Sequence, residues 1–242
     1  MCYNYSLTVF PTREDYKAIL KKGDTFQKKF LINSFELKKM PVITNKDPGY
    51  FQFYYWGLIP FWIKKLEDSE KIRIKTMNAR SETIFDKSSF KNSIRSKRCL
   101  IPADGFYEWR FIFGKNYPYY IRLKNHKIFS FAGIWDSWKN PINKNIVYSY
   151  SIITCKSNKL LSKIHNKKKR MPVILTKENE RIWLKEELKD EEIKNCFIPY
   201  SDEKMEAYTI SRLITSREKE KNSSDIIKSY NYPELKLSLI HI

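Results

Sequence analysis

The middle of the chain consists of short segments in which β-branched and aromatic residues alternate with polar ones. A period of two residues is typical of strands that bury one face, and the close succession of the segments favours antiparallel pairing. The sequence therefore predicts strands at residues 97–101, 106–111, 117–123, 127–134 and 147–154. Gly114-Lys115-Asn116 predicts a hairpin turn between the second and third of them.

Shorter helices are predicted around these strands. Residues 81–85 and 88–94 have helical patterns, and Ser157 is positioned to cap a further helix that ends at His165. Residues 171–176 are predicted to return as a strand and residues 178–188 to form a charged amphipathic helix. The expected fold class is therefore α+β, with a curved, mostly antiparallel sheet and peripheral helices.

The chain is expected to form a single domain over residues 1–242. Neither an internal repeat nor a linker rich in Pro, Gly or Ser interrupts it, and 42% hydrophobic and 15% aromatic residues suffice for a sizeable core. Residues 217–224 are predicted to be a loop in a peripheral C-terminal tail. Residues 12–40 have no clear pattern.

The chain carries a large excess of positive charge. Its 46 Lys and Arg against 27 Asp and Glu give a formal net charge of +19. Such an excess attracts polyanions such as nucleic acid or an anionic membrane surface. The same composition, rich in Lys, Ile and Asn, also arises from codon bias alone, so both interpretations stay open.

Several classes of protein are excluded or disfavoured. Charged residues between positions 13 and 17 disfavour a secretory signal, and the most apolar segment, residues 53–62, is too short to span a membrane. The cysteines are far apart in the sequence and form no CxxC pair, so neither a zinc cluster nor a disulfide framework is indicated. This spacing favours a reducing cytoplasm. The cysteines are Cys2, Cys99, Cys155 and Cys196.

Cys2 has a specific chemistry if Met1 is removed, and a small second residue generally permits that removal. An N-terminal cysteine combines a thiol with an α-amine that titrates near pH 8. The amine condenses with an aldehyde to a Schiff base, and the thiolate closes onto the imine carbon to form a thiazolidine. Taken alone, the position of Cys2 is also explained by chance.

Three further polar residues lie in settings typical of sites: Asn78 in MNARSE, Glu108 in PADGFYEW, and His165 before NKKKRMP. A Glu between two aromatic residues on a predicted buried strand breaks the local pattern. The alternatives are that Glu108 points to solvent and that His165, beside three lysines, is a surface residue. With three histidines in the chain, no metal site is predicted.

Basic and aromatic stretches supply candidate contacts to nucleic acid. The densest positive run is Lys167, Lys168, Lys169 and Arg170, which could neutralise phosphates or form a solvated loop. A second basic cluster follows Asn78 and comprises Arg80, Arg95, Lys97 and Arg98. Trp62 could stack on an unpaired base, whereas Trp56 is expected in the core.

Together these segments resemble the SOS response-associated peptidase (SRAP) family. The resemblance rests on ordered motifs from residue 2 to about 214: Met1-Cys2, WGLIPFW at 56–62, NARSET at 78–83, RCLIPADGFYEW at 98–109, FAGIWD at 131–136, SIIT at 151–154 and RMPVIL at 170–175. It implies a barrel-like α+β fold and a sensor of abasic sites in single-stranded DNA, and we expect the protein to be a monomer. The resemblance also implies that the mature N-terminal cysteine crosslinks covalently to the lesion, in the cytoplasm and at the nucleoid.

The resemblance also implies roles for individual residues. Cys2 would be the nucleophile, Asn78 would orient the α-amine or the sugar, and Glu108 would shuttle protons. His165 would assist the open sugar or a strand-cleaving β-elimination. The implied phosphate ligands are Arg80 and Arg170, and the implied stacking residue is Trp62.

Two departures from the family pattern are visible. The family usually opens Cys-Gly-Arg, whereas this chain has Cys2-Tyr3-Asn4, and His165 precedes Arg170 by five residues rather than two. The lysines of the longer loop are expected to add phosphate contacts.

Two other functions are compatible with the sequence. One is a cysteine peptidase that uses Cys2, Asn78 and His165, acting only on the bond after Met1 or on other peptides. The other is a DNA-binding module without chemistry. No phosphate-binding GxxxxGK[ST] motif occurs, so no nucleotide cofactor is expected.

Overall fold

A computed structural model describes residues 2–216 and 221–236 of the chain. The strands are β1 (Asn4–Leu7), β2 (Lys29–Asn33), β3 (Lys39–Thr44), β4 (Asp47–Trp56), β5 (Asn78–Arg80), β6 (Arg98–Ala103), β7 (Gly105–Ile112), β8 (Lys115–Leu123), β9 (Phe129–Lys139), β10 (Ile146–Lys156), β11 (Arg170–Pro172), β12 (Ile174–Leu175) and β13 (Met205–Thr209). The α-helices are α1 (Leu66–Lys75), α2 (Ser93–Ser96), α3 (Lys159–Ile164), α4 (Lys177–Trp183), α5 (Asp190–Asn195) and α6 (Pro233–Lys236).

Five strands close into a barrel at the centre of the molecule. Their order around the barrel is β10-β4-β3-β6-β9, and pairing of β9 with β10 completes the ring. The β4–β10 pair is parallel, and the other four pairs are antiparallel. A closed ring leaves no unpaired edge among its strands, so the barrel is a rigid support for the loops around it.

A second sheet places the start of the chain against the barrel. Its order is β13-β8-β7-β1-β2, so β1 lies between two neighbours. Tyr5 is opposite Ile32 on one side and opposite Phe106 on the other. Its ring is buried, and its hydroxyl lies 3.1 Å from that of Tyr150 on β10. These contacts fix the position of Cys2, three residues before Tyr5.

The predicted α+β fold class is confirmed, and the five predicted strands correspond to β6–β10. The hairpin turn lies one residue earlier than predicted. Phe113 and Gly114 form it, with φ of 49° and 76°. Two consecutive positive φ angles are required by the type I′ turn that matches the twist of a hairpin.

The helices predicted at residues 81–85 and 88–94 are wrong. Turns occupy residues 81–86, and α2 begins at Ser93. The reason is tertiary, because β5 pairs with β10 and the Ser81 N–H donates to the Thr154 carbonyl at 2.9 Å. The chain is therefore held extended up to the point where the helix was expected to begin.

The helix before His165 is confirmed, but its cap is Asn158 rather than Ser157. The Asn158 side chain accepts from the Leu161 N–H at 2.8 Å. The helix α3 ends at Ile164, and His165 is its C-cap. The strand predicted at 171–176 is divided at Val173, and α4 is shorter than the helix predicted at 178–188.

The predicted C-terminal loop is only partly testable, because residues 217–220 lie outside the described residues. Residues 221–223 are irregular, and a 3-10 helix begins at Ser224. Among the described helices, none is both long and apolar enough to cross a membrane.

Trp183 attaches α4 to the barrel. Its side chain is fully buried, and its Nε1–H donates to the carbonyls of Cys99 and Gly133 at 3.0 and 3.2 Å. We expect Trp183→Ala to lower the free energy of unfolding by about 3–5 kcal/mol, because it leaves a cavity. Urea denaturation measures the change. Trp62→Ala is the control, because it removes an exposed indole. An equal loss of unfolding free energy in both variants would contradict the role of Trp183 in attaching α4 to the barrel.

Candidate active site

Cys2 belongs to the hydrophobic core and lies two residues before β1. It is fully buried, and its Sγ lies 3.5 Å from the Asn4 carbonyl oxygen. Burial raises the pKa of the Cys2 thiol far above its ordinary value, and the charge of Glu108 raises it further. In this position the thiol is protonated at neutral pH.

Asn78 binds the backbone of Cys2. The parallel pairing of β5 with β10 places Asn78 opposite Ile152. Its Nδ2 donates to the Cys2 carbonyl at 2.9 Å. Its Oδ1 is buried and has no hydrogen-bond partner among the described residues, so an acceptor is available beside Cys2.

Glu108 lies on β7, opposite Tyr119 of β8. It is 4% exposed, so the solvent-facing alternative is wrong. Burial raises its pKa from 4.5 to about 7, an effect that the positive charge of Lys168 partly offsets. A carboxyl group with this pKa can both donate and accept a proton near neutrality.

His165 is also buried rather than on the surface, with 8% exposure. Its Nδ1 lies 2.9 Å from the Arg170 carbonyl oxygen. Since a carbonyl only accepts, the hydrogen is on Nδ1 and the lone pair on Nε2. Burial lowers the pKa of His165 to about 4. Its Nδ1 lies 3.7 Å from Glu108 Oε1, so the two side chains are neighbours.

The fold thus brings four predicted residues into one cluster: Cys2, Asn78, Glu108 and His165. Contacts join Asn78 to Cys2 and His165 to Glu108, while the charge of Glu108 acts on Cys2. Within the described parts of the chain, no group of three or more His, Cys, Asp or Glu side chains could hold a metal ion.

The longer loop after His165 is fastened to β7. Asn166 accepts from the Phe111 N–H at 3.0 Å and donates to the Phe111 carbonyl at 2.7 Å. The Lys169 N–H donates to the His165 carbonyl at 2.7 Å. Lys167, Lys168 and Lys169 are exposed on this loop, and the charge of Lys168 lowers the pKa of both Glu108 and His165.

Arg170 lies under the surface, whereas Arg80 is exposed. The Arg170 guanidinium donates to both carboxylate oxygens of Glu82 at 2.9 Å, and its Nη2 also donates to the Thr154 carbonyl at 2.7 Å. The Arg170 guanidinium is therefore already paired with a carboxylate of the protein. Burial raises the pKa of Tyr3, and the charge of Arg80 partly offsets this rise.

Trp62 lies outside the four-residue cluster, on the loop that follows β4. Its side chain is 41% exposed, whereas Trp56 is buried in the core as expected. Two contributors to the region, Glu82 and Asn166, were not predicted from sequence. Glu82 lies within the NARSET motif, which marks it as a candidate site residue. Its pairing with Arg170 could not be predicted, because the two residues are distant in sequence and only the fold brings them together.

The class of protein is indicated by a buried cysteine at position 2 that lies in a cluster with Asn, Glu and His beside a closed mixed barrel. The family model described as SOS response associated peptidase (SRAP) matches residues 1–217, and the chain belongs to this family. The abasic site processing protein YoqW of Bacillus subtilis is 44% identical over 177 residues, covering 72% of this chain and 75% of YoqW.

A further relative and a solved structure are also similar to this chain. The abasic site processing protein HMCES of Gallus gallus is 37% identical over 139 residues, which is 50% of this chain and 40% of HMCES. A crystal structure of a protein from Bacteroides thetaiotaomicron matches with a TM-score of 0.88 and 36% identity, covering 95% of this chain and 100% of that one.

The opposite pKa shifts of Glu108 and His165 predict opposite pH dependences of stability. The folded state favours protonated Glu108, so the free energy of unfolding falls as the pH rises from 4.5 to about 7. It favours neutral His165, so the free energy falls as the pH decreases from 6.5 to about 4. Glu108→Gln removes only the first effect. Relative to the wild type, this variant should therefore gain about 2 kcal/mol more at about pH 8 than at about pH 5.

Urea denaturation at the two pH values measures these differences. His165→Asn serves as the matched variant and should show the reverse order, gaining more at the lower pH. If Glu108→Gln shifts stability equally at both pH values, the raised pKa of Glu108 is contradicted.

Proposed function

We propose that this protein senses abasic sites in single-stranded DNA and crosslinks to them through a thiazolidine at Cys2 once Met1 is removed. The observation that carries the proposal is the contact of Asn78 with the Cys2 backbone beside a buried carboxyl of pKa about 7. The ring-opened form of an abasic site is an aldehyde, which a 1,2-aminothiol captures selectively. The names of the relatives YoqW and HMCES also support the proposal.

The chemistry proceeds in two steps and releases one water. The free α-amine of Cys2 adds to the sugar aldehyde, and loss of water gives a Schiff base. Cys2 Sγ then bonds to the imine carbon while its proton passes to the imine nitrogen, closing the five-membered ring. No oxidant or reductant is required.

The environment of the thiol favours this order of steps. Burial keeps the thiol protonated, so the amine attacks first and the thiol needs a base before it closes the ring. Glu108 is the base proposed for this step, because it is close enough to raise the thiol pKa and itself titrates near neutrality. It also returns protons when the crosslink reverses.

Asn78 and His165 act on the reacting groups in this proposal. Asn78 Oδ1 accepts from the α-amine or from a sugar hydroxyl, because it is buried beside Cys2 and available. His165 remains neutral at physiological pH, so Nε2 can accept a proton from the open sugar. Strand cleavage by β-elimination would use the same group.

The proposed DNA contacts are made by one aromatic and several basic residues. Trp62 stacks on a base, and Arg80 and the exposed lysines Lys167, Lys168 and Lys169 bind phosphates. Arg170 binds a phosphate when its ion pair with Glu82 breaks.

Peptide hydrolysis is the weaker alternative. A cysteine peptidase attacks with a thiolate, and burial opposes formation of the Cys2 thiolate. A binding module without chemistry leaves the buried Glu108 and its interaction with Cys2 without a role. Removal of Met1 is compatible with the crosslinking proposal, because it generates the required amine.

The test is incubation of the protein with a single-stranded oligonucleotide that carries one abasic site, followed by denaturing gel electrophoresis and intact-mass measurement. Protein lacking Met1 is expected to give a heat-stable adduct with a mass one water below the sum of its parts. Cys2→Ala should abolish the adduct, whereas Cys196→Ala, which removes a buried cysteine elsewhere, should not. An adduct that persists in Cys2→Ala, or none in protein lacking Met1, would refute the thiazolidine.

The Glu82–Arg170 pair generates a separate prediction about DNA affinity. Glu82→Gln removes the competing carboxylate, so Arg170 can bind a phosphate. The slope of log affinity against log salt should then steepen by about one. Glu178→Gln, the same charge change at an exposed residue of α4, should leave the slope unchanged. An unchanged slope in Glu82→Gln would show that Arg170 is structural only.

A further inference from the structure

The loop that carries Trp62 is fastened to the barrel by side chains. The Ile59 N–H donates to Ser149 Oγ at 2.8 Å, and the Phe61 N–H donates to Asp136 Oδ2 at 2.9 Å. The Ile63 carbonyl accepts from Trp138 Nε1 at 2.6 Å. Alternate residues of the loop are therefore bound to β9 and β10 without being part of a strand, and Trp62 lies between two of the attachment points.

Asp136 is the charged member of this set. It is 2% exposed, and its Oδ1 accepts from Lys97 Nζ at 2.5 Å and from the Ser137 N–H at 2.8 Å. Its Oδ2 binds the Phe61 N–H, so both oxygens have partners. A buried carboxylate is costly unless it is fully bonded, and removal of one partner leaves the other unpaired.

The attached loop exposes two large aromatic side chains. Phe61 is 53% exposed and Trp62 is 41% exposed. Lys97 Nζ, which pairs with Asp136, also lies 5.8 Å from the centroid of the Phe61 ring. An aromatic residue on a preorganised backbone binds a flat ligand with a smaller loss of conformational entropy than one on a free loop.

We infer that Asp136, paired with Lys97, is a positioning residue that holds the Phe61–Trp62 loop for stacking on a base next to the lesion. The inference rests on the proposed function, because it takes single-stranded DNA as the ligand. Asp136 touches neither Cys2 nor the reacting sugar in this assignment, so it acts on affinity and leaves the covalent step unchanged.

The experiment measures binding of wild-type protein, Asp136→Asn, Trp62→Ala and the double variant to an intact single-stranded oligonucleotide at several salt concentrations. Asp136→Asn and Trp62→Ala are each expected to weaken binding by about tenfold, the size of a lost base–aromatic stack. The double variant should bind no more weakly than Trp62→Ala, because the two residues act through one contact. The salt slope should not change, since no phosphate contact is lost.

The rate of crosslinking at saturating DNA distinguishes a positioning role from a general structural defect, because only a general defect would lower it. In Asp136→Asn, the concentration of DNA for half-maximal rate should rise while the rate at saturation is retained. Asp190→Asn is the matched control, since it removes an equal charge from the exposed pair with Arg95. Asp136→Asn combined with Lys97→Met removes the stranded ammonium and preserves a testable variant if the single change unfolds the protein.

The outcomes separate the two proposals. If wild-type protein binds no single-stranded DNA, the proposed function fails. If wild-type protein binds, Trp62→Ala weakens binding and the folded Asp136 variant binds as tightly as the wild type, the positioning role is overturned. Full additivity in the double variant, or a loss of rate at saturating DNA, overturns it equally.

Discussion

The whole site depends on the pairing of β1 on both sides. Because β1 lies between β2 and β7, its backbone is bound along both edges, and this restrains Cys2, two residues before the strand. The Asn78 side chain adds a bond to the Cys2 carbonyl from an element of the other sheet. Cys2 is thereby held in a fixed position in the cluster with Glu108 and His165.

Burial sets the electrostatics of the cluster more than charge pairing does. It raises the pKa of Glu108 to about 7 and lowers that of His165 to about 4. Over the interval between these values both side chains are neutral in the folded protein, so the 3.7 Å approach of the two is not an ion pair. Neutral neighbours can exchange protons with a substrate without the cost of separating buried charges.

The sequence predicts the parts of the fold that local pattern controls. Strands β6–β10 follow from alternation, and the end of α3 at His165 follows from its apolar spacing. The helix expected at residues 81–85 does not form, because the bond from Ser81 to Thr154 joins segments that are distant in sequence. The Glu82–Arg170 pair could not be predicted from the sequence for the same reason, because its members are distant in the chain. The roles of the individual site residues remain predictions drawn from family motifs.

The two attachments of the basic loop make the position of the His165 side chain independent of the charge that the loop exposes. Asn166 binds β7 at one end of the loop, and the Lys169 N–H binds the His165 carbonyl at the other. Exchange of the exposed Lys167 or Lys168 side chain leaves these bonds in place. The surface charge of this segment can therefore change while the position of the His165 imidazole is retained.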